Sequence, residues 1–461
     1  MIKNNYLFLF FFLFAIISCT SNHTDKGVEV PVVADRQKIN SPLKKGEVIT
    51  VVTSEQDASQ NYALYLPKNY NDSLRFPVIL FFDPHASGSY PVAKYQLLAE
   101  KFGYVLIGSN NAKNGMQFDQ TNVVVNRLMN EATTRYSIDN GQISVAGFSG
   151  GAKVALVSAA NHPELVSVIY CGAAIPFDNI QQLSPALGFA GERDMNYTEV
   201  MSSGLTLGEK KIDHVVVEWK GKHEWPDSLT FEDAFFWSSF NAMRKKTRSV
   251  DHKLIDDYLQ KKNKLLNDNQ NTLARYNVLN QVIAFLNGLT DVSVYRQMIA
   301  AIVKTDLFGK ELNRQQEILH TEMNMKQNYA QCFQSKDVGW WKDEIARMRS
   351  IKSGDQEKMY QRLLGYLSLA SYSYSNNAIK QNNFSSAQQF LTVYKLADPE
   401  NSEQPFLTAC MYARQGDQEK AIASLKEAIG MGLKDKVKIE TEESFNSLRS
   451  NPEFNKLLGR F

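Results

Sequence analysis

Cysteine is scarce: four residues in 461, none of them in a CxxC pair. That speaks against both a disulfide framework and a structural zinc or redox dithiol. An excess of one charge is missing too, since 51 Lys and Arg face 49 Asp and Glu for a formal net charge of +2. With no dense basic stripe beside it, this balance points to no nucleic-acid partner. No apolar stretch is long enough to cross a membrane; the longest runs from Tyr6 to Ile17, well short of the roughly 20 residues a spanning helix needs. Neither a phosphate-cradling glycine loop nor a cluster of metal ligands appears, so no cofactor and no metal is expected. What is there is ordinary globular composition, with 43% hydrophobic and 22% charged residues. Its length predicts two or three domains.

Residues 1–18 read as a signal peptide. A basic Lys3 precedes the apolar run Tyr6 to Ile17, and Ser18-Cys19 closes it, as in an export signal with a short apolar core. The ending Ile16-Ile17-Ser18-Cys19 resembles the lipobox of bacterial lipoproteins. The resemblance implies an exported lipoprotein of the cell envelope, anchored to the membrane through acyl chains on Cys19. The alternative is a plain secretory signal cleaved near Ser18. Residues 19–45 are polar and aperiodic, which predicts a tether.

Residues 46–245 alternate between short β-branched or aromatic runs and amphipathic segments. Eight strands are expected, at Val48–Val52, Tyr62–Leu66, Val78–Phe82, Tyr104–Ile107, Ile143–Ala146, Val166–Tyr170, Leu187–Ala190 and His214–Trp219. From the third onward the runs are almost wholly apolar, as in strands buried on both faces of a parallel sheet. A helix is expected from Pro91 to Phe102, with Leu97, Leu98 and Phe102 on one side. Strands alternating with helices predict a doubly wound α/β layer, whose ligands bind beyond the carboxyl ends of the strands.

The fifth strand runs into Gly147-Phe148-Ser149-Gly150-Gly151, and a helix of small residues follows. A serine hydroxyl becomes an effective nucleophile when a sharp strand-to-helix turn holds it exposed beside a base. Glycines two before and two after permit that turn. Here the sequence resembles the α/β-hydrolase family, and the resemblance carries a triad onto this chain in the order Ser149, Asp194, His223. Asp194 lies in Gly191-Glu192-Arg193-Asp194 after the seventh strand, and His223 in Gly221-Lys222-His223-Glu224-Trp225-Pro226 after the eighth. That last loop is similar to those of carboxylesterases, feruloyl-esterase-like and dienelactone-hydrolase-like members. Ser149 would attack an acyl carbonyl, His223 would shuttle the proton and Asp194 would fix the imidazole. Glu192 and Asp178 remain alternative acids, and His85 is the one rival to His223.

The resemblance places the first oxyanion donor at the backbone N–H of Gly150. The second falls in Asp83-Pro84-His85-Ala86, after the third strand. Pro84 has no N–H to give, so the donor is expected at His85, or else at Ala86. Asn110, Asn111, Asn114 and Gly115 are expected to line the same mouth or to form an ordinary turn. The connection from about Ala173 to Ala186 is too short for a helical lid. An open site and a small or linear ester substrate are therefore expected, with an amide substrate as the alternative.

From 246 to 461 the apolar spacing is helical throughout. Asn383 to Leu391 aligns with Asp417 to Leu425 at an offset of 34 residues, the period of tetratricopeptide repeats, which residues 360–430 resemble. Ser444 to Phe454 resembles a capping helix. A protein partner on this helical domain is one expectation, and a buttress for the first domain or a narrowing of its open mouth is another. A silent hydrolase fold acting as scaffold is the rival for the whole chain. Trp340-Trp341 is expected in a helix core, or facing a partner or the interdomain seam, and Cys171 and Cys410 are expected to be buried.

Overall fold

The computed structural model describes residues 44–459, so the signal, Cys19 and most of the tether lie outside the described residues. Eight strands form one sheet: β1 (Val48–Thr53), β2 (Asn61–Tyr65), β3 (Phe76–Phe82), β4 (Val105–Ser109), β5 (Ile138–Phe148), β6 (Ser167–Cys171), β7 (Ala186–Gly191) and β8 (His214–Trp219). Their order is β1-β2-β4-β3-β5-β6-β7-β8, with β2 antiparallel to both its neighbours, β1 and β4, and β3 through β8 mutually parallel. This is the α/β-hydrolase fold. Every residue of β4, β6 and β7 is buried, which is why these runs lack polar alternation.

Helices cover both faces. They are α1 (Ser89–Phe102), α2 (Phe118–Arg135), α3 (Gly150–Asn161), α4 (Tyr197–Glu209) and α5 (Ser228–Arg244). On one face, Val92, Tyr95, Ala99 and Phe102 of α1 share a core with Phe231 and Phe235 of α5 and with Phe81, Phe148 and Phe189 of the sheet. On the other, α2 and α4 are tied down by Tyr62 Oη to Glu131 at 3.1 Å and by the Tyr170–Ser203 hydroxyl pair at 2.9 Å. The buried stripe of α1 differs from the expected one. Phe102 is buried and Leu98 packs at the edge of the core as expected, but Leu97 is 80% exposed, and Val92, Tyr95 and Ala99 complete the buried stripe, because the i, i+3, i+7 stripe with the most bulk runs through Tyr95. Tyr95 stacks on Phe231 with ring centroids 3.8 Å apart. Phe231→Ala is expected to lower stability by about 3–5 kcal/mol, read from the midpoint of chemical denaturation.

The helical region consists of α6 (His252–Asp268), α7 (Thr272–Leu286), α8 (Ser293–Ile302), α9 (Asp306–Ser335), α10 (Val338–Ser350), α11 (Gly354–Lys380), α12 (Phe384–Ala397), α13 (Glu403–Gln415), α14 (Gln418–Gly430), α15 (Lys436–Thr441), a 3-10 turn (Glu443–Leu448) and α16 (Pro452–Leu458). The change from alternating to all-helical structure falls close to residue 246, but the hydrophobic core does not stop there. Ile255 and Tyr258 of α6 and Val282, Phe285 and Leu286 of α7 belong to the same core as the sheet. The cause is α5, whose Phe231, Phe235, Phe236, Trp237 and Phe240 are all buried; a helix with aromatic rings on several sides needs cover on its outer side as well. The buried Lys262 ammonium fastens that cover, donating to Asp233 at 2.6 Å and Gln281 at 2.8 Å.

The 34-residue offset has a structural counterpart. Asn383 and Asp417 cap α12 and α14 through the N–H groups of Ser386 and Lys420, and Ala387 and Ala421, like Leu391 and Leu425, are fully buried. Phe445, Leu448, Phe454 and Leu457 close the same core at its end. Trp341 is fully buried with Tyr329 and Phe333, and Trp340 packs at the edge of that cluster. Cys171, Cys332 and Cys410 are free and buried. No helix among the described residues is long and apolar enough to cross a membrane.

Candidate active site

Ser149 sits between β5 and α3 with φ 52° and ψ −120°, a conformation non-glycine residues rarely adopt. The two flanking glycines are required by space. A Cβ on Gly147 would collide with the Gly151 carbonyl, and one on Gly151 with the Phe82 carbonyl. The elbow is held by the Ser149 N–H, which donates to Cys171 O at 2.8 Å.

The structure brings the three predicted residues together. Ser149 Oγ lies 2.9 Å from His223 Nε2, and His223 Nδ1 lies 2.9 Å from Asp194 Oδ1. With the hydroxyl donating to Nε2 and Nδ1–H to the carboxylate, the chain has the polarity that a proton shuttle requires. Asp194 is 2% exposed. Its Oδ1 also accepts the Asn196 N–H at 2.8 Å, and Asn196 in turn donates from its side chain to Gly172 O at 2.8 Å. The other two carboxylates stand elsewhere: Glu192 pairs with Lys358 at 2.9 Å, and Asp178 is exposed. The Phe148 ring packs 4.7 Å from the imidazole.

Asp83 joins the two loops that face Ser149. Its Oδ2 accepts the Trp225 indole N–H at 2.9 Å, and its Oδ1 accepts the His85 N–H at 3.0 Å. Burial pushes the Asp83 carboxyl up, but the bonds from His85 and Trp225 outweigh it and hold it below the usual range. Trp225 thereby explains its own place in the Gly-x-His-Glu-Trp-Pro loop: it ties the histidine loop to the end of β3.

The second oxyanion donor is not free where it was expected. The His85 N–H is spent on Asp83 Oδ1, and the Ala86 N–H donates to Asp83 O at 3.1 Å. The Asp-Pro-His sequence folds back on its own carboxylate, and Ala86 takes φ 56° to complete the turn. Gly150 begins α3, and the Asn114 side-chain amide lies directly over it. A Cβ on Gly150 would collide with Asn114 Oδ1 and would stand 3.4 Å from Nδ2. Asn114, expected at the mouth or in an ordinary turn, touches the elbow itself. Asn110 and Asn111 bond to Thr50, Asn61 and Ser59 as turn residues do, and both also wall the cavity beside His85.

The His85 side chain is 81% exposed, with Nδ1 3.7 Å from Asp83. Its pKa is raised, first by the Asp83 side chain against a smaller opposing effect of burial, and the charges of Lys438 and Glu403 also reach it. Those two residues, paired at 2.6 Å, belong to α15 and α13. The β6–β7 connection carries no helix, as its length predicted. A cavity of about 760 Å³ opens beside His85 and Ala86, walled by Asn111, Lys113 and Met116.

Glu218 of β8, which pairs with Ala190 of β7, is pushed up by burial first and by the charge of Glu192 second, with Lys358 and Arg362 partly offsetting both. These last two residues lie on α11. No local pattern in the sequence marks them.

The sequence matches no protein-family model and no curated protein. Among solved structures, an S-formylglutathione hydrolase of Staphylococcus aureus is 12% identical, with 42% of this chain and 98% of that one covered at a TM-score of 0.36. Esterase B of Lactobacillus rhamnosis is 14% identical over 45% of this chain and 93% of that one, at a TM-score of 0.37. An esterase of Pyrobaculum calidifontis is 15% identical over 43% and 85%, at 0.34. The strand order carries the fold assignment independently of these likenesses.

Proposed function

We propose that this protein is a serine hydrolase that cleaves carboxylic esters through an acyl-enzyme. The observation that carries the reading is the Ser149–His223–Asp194 chain, two 2.9 Å links ending on a buried carboxylate and starting on a strained elbow. Strain of this kind persists where the surroundings over-determine it, and it clusters at reactive residues. In the first step Ser149 Oγ attacks the ester carbonyl as its proton passes to His223 Nε2. The imidazolium returns that proton to the leaving alcohol. Water then repeats the sequence on the acyl-enzyme, with His223 as base, and releases the acid. Asp194 stabilises the imidazolium in both halves. The oxyanion faces the N-terminus of α3, where the Gly150 N–H is the first donor.

A p-nitrophenyl ester series of rising acyl length, run beside an aminoacyl amide, tests the reading. Turnover of short esters with little on the amide is the expected result; the reverse order would make the protein a peptidase.

The reading includes a membrane anchor. Support comes from the sequence alone, in the lipobox-like Ile16-Ile17-Ser18-Cys19 and the polar tether behind it. Cys19→Ala is expected to move the protein from the membrane to the soluble fraction of the envelope, as read by fractionation and immunoblot. A variant that stays membrane-bound would remove the anchor from the account.

A further inference from the structure

The loop that carries Asp194 is gripped from outside by the helical region. Arg362 of α11 donates from Nη1 to Glu192 O at 2.8 Å, and Lys326 of α9 donates to Met195 O at 2.7 Å and to Thr198 Oγ1 at 3.3 Å. Both cations are held by one carboxylate, Glu322, which is fully buried: Arg362 Nε lies 2.7 Å and Lys326 Nζ 2.7 Å from it. Two cations against one anion leave N–H donors to spare, and those donors point at the loop carbonyls. Further contacts continue the pattern. Glu192 pairs with Lys358 at 2.9 Å, Arg193 with Glu357 at 2.9 Å, and the Arg362 guanidinium lies 4.5 Å over the Tyr197 ring. Gly365 abuts Met195, where an added Cβ would stand 3.3 Å from the methionine. Residues 192, 193, 195, 197 and 198 thus face α9 and α11, while Asp194 and Asn196 face inward to His223 and Gly172.

This division of labour is more than packing. Arg362 is 3% exposed, and a buried charge persists only where its partners are well placed. Here those partners include a backbone carbonyl two residues before Asp194. The sheet holds the inner edge of the loop through Glu192 N to Trp219 O and Arg193 N to Gly221 O, both at 2.9 Å. The Arg362–Glu322–Lys326 cluster holds the outer edge.

We propose that Arg362 and Lys326 are positioning residues for the triad, so that the helical region is a working part of the active site. The inference rests on the serine-hydrolase reading. Misplacing a reacting group by about 1 Å costs on the order of 100-fold in rate, and a loop freed on one edge shifts by part of that. Arg362→Met is therefore expected to lower kcat by about 10- to 100-fold with KM nearly unchanged. Arg362→Lys should recover part of the loss. In an Asp194→Asn background the same substitution should add little, because its route to His223 has already been cut.

The experiment measures kcat, KM and the rate of fluorophosphonate labelling for Arg362→Met, Arg362→Lys, Asp194→Asn and the Asp194→Asn, Arg362→Met double variant, with circular dichroism as the check on folding. Lys326→Met keeps the Arg362–Glu322 pair and serves if Arg362→Met does not fold; a several-fold loss of kcat is expected there. Arg414→Met is the control, a distal arginine bonded to Ser444 and Asn382, and should leave kcat unaltered. Wild-type kcat in folded Arg362→Met and Lys326→Met, or a loss that multiplies fully in the Asp194→Asn background, would overturn the inference alone. A wild type inert toward esters and probe would overturn the serine-hydrolase reading and this inference with it.

Discussion

Ser149→Ala is expected to lower ester turnover by about 10⁶-fold, as is His223→Ala, and the two together should cost no more than either alone. The reason lies in the geometry. Oγ and Nε2 are 2.9 Å apart and act as one unit, since a base without a nucleophile has no proton to take and a nucleophile without a base stays a weak alcohol. Alanine fits the φ of 52° at the elbow about as well as serine does, so the loss is chemical and the fold survives. Steady-state rates on a p-nitrophenyl ester check this. Independent, multiplying losses would mean that the two side chains do not work together.

Asp194→Asn is expected to lower kcat on the order of 10⁴-fold while KM stays near its wild-type value. The two contacts on Oδ1, from Asn196 N–H and from His223 Nδ1–H, are open to an amide oxygen, so the imidazole can remain oriented. What disappears is the negative charge that stabilises the imidazolium as it forms. In a site where the carboxylate is 2% exposed, solvent does little to replace that charge. A variant with nearly full kcat would remove Asp194 from the triad and direct attention to Glu192, whose carboxylate now rests on Lys358.

All eight strands were legible in the sequence as short β-branched or aromatic runs, and β4, β6 and β7 most plainly, because burial on both faces of a parallel sheet demands an unbroken apolar run. Their limits were less so. β5 begins at Ile138, before the polar Asp139-Asn140-Gly141-Gln142, since Ile138 pairs with Phe76 near the edge of the core. The elbow was readable for a steric reason, as only glycine fits beside Phe82 and Gly151 carbonyls. The aromatic run of α5 carried a signal for the cover supplied by α6 and α7, because five buried rings in one helix cannot all face the sheet. Other features left no local trace. The spent N–H of His85 follows from an Asp side chain two residues earlier, a choice the turn makes in three dimensions. The grip of Arg362 on Glu192 joins residues 170 positions apart, and no periodicity links them.

The helical region thus has two relations to the hydrolase core. Through α6 and α7 it completes a hydrophobic layer, and through α9 and α11 it meets the acid loop. Truncating the chain after residue 245 would expose Phe236, Trp237 and Phe240, which pack on Tyr258 and Phe285.

The most direct measurement is the labelling of purified protein by a fluorophosphonate probe, with the modified residue located by peptide mass spectrometry. Only an activated serine reacts quickly, and no knowledge of the natural substrate is needed. Rapid labelling confined to Ser149, and lost in His223→Ala, is the predicted result. Folded wild-type protein that stays unlabelled, or a label carried by another serine, would contradict it.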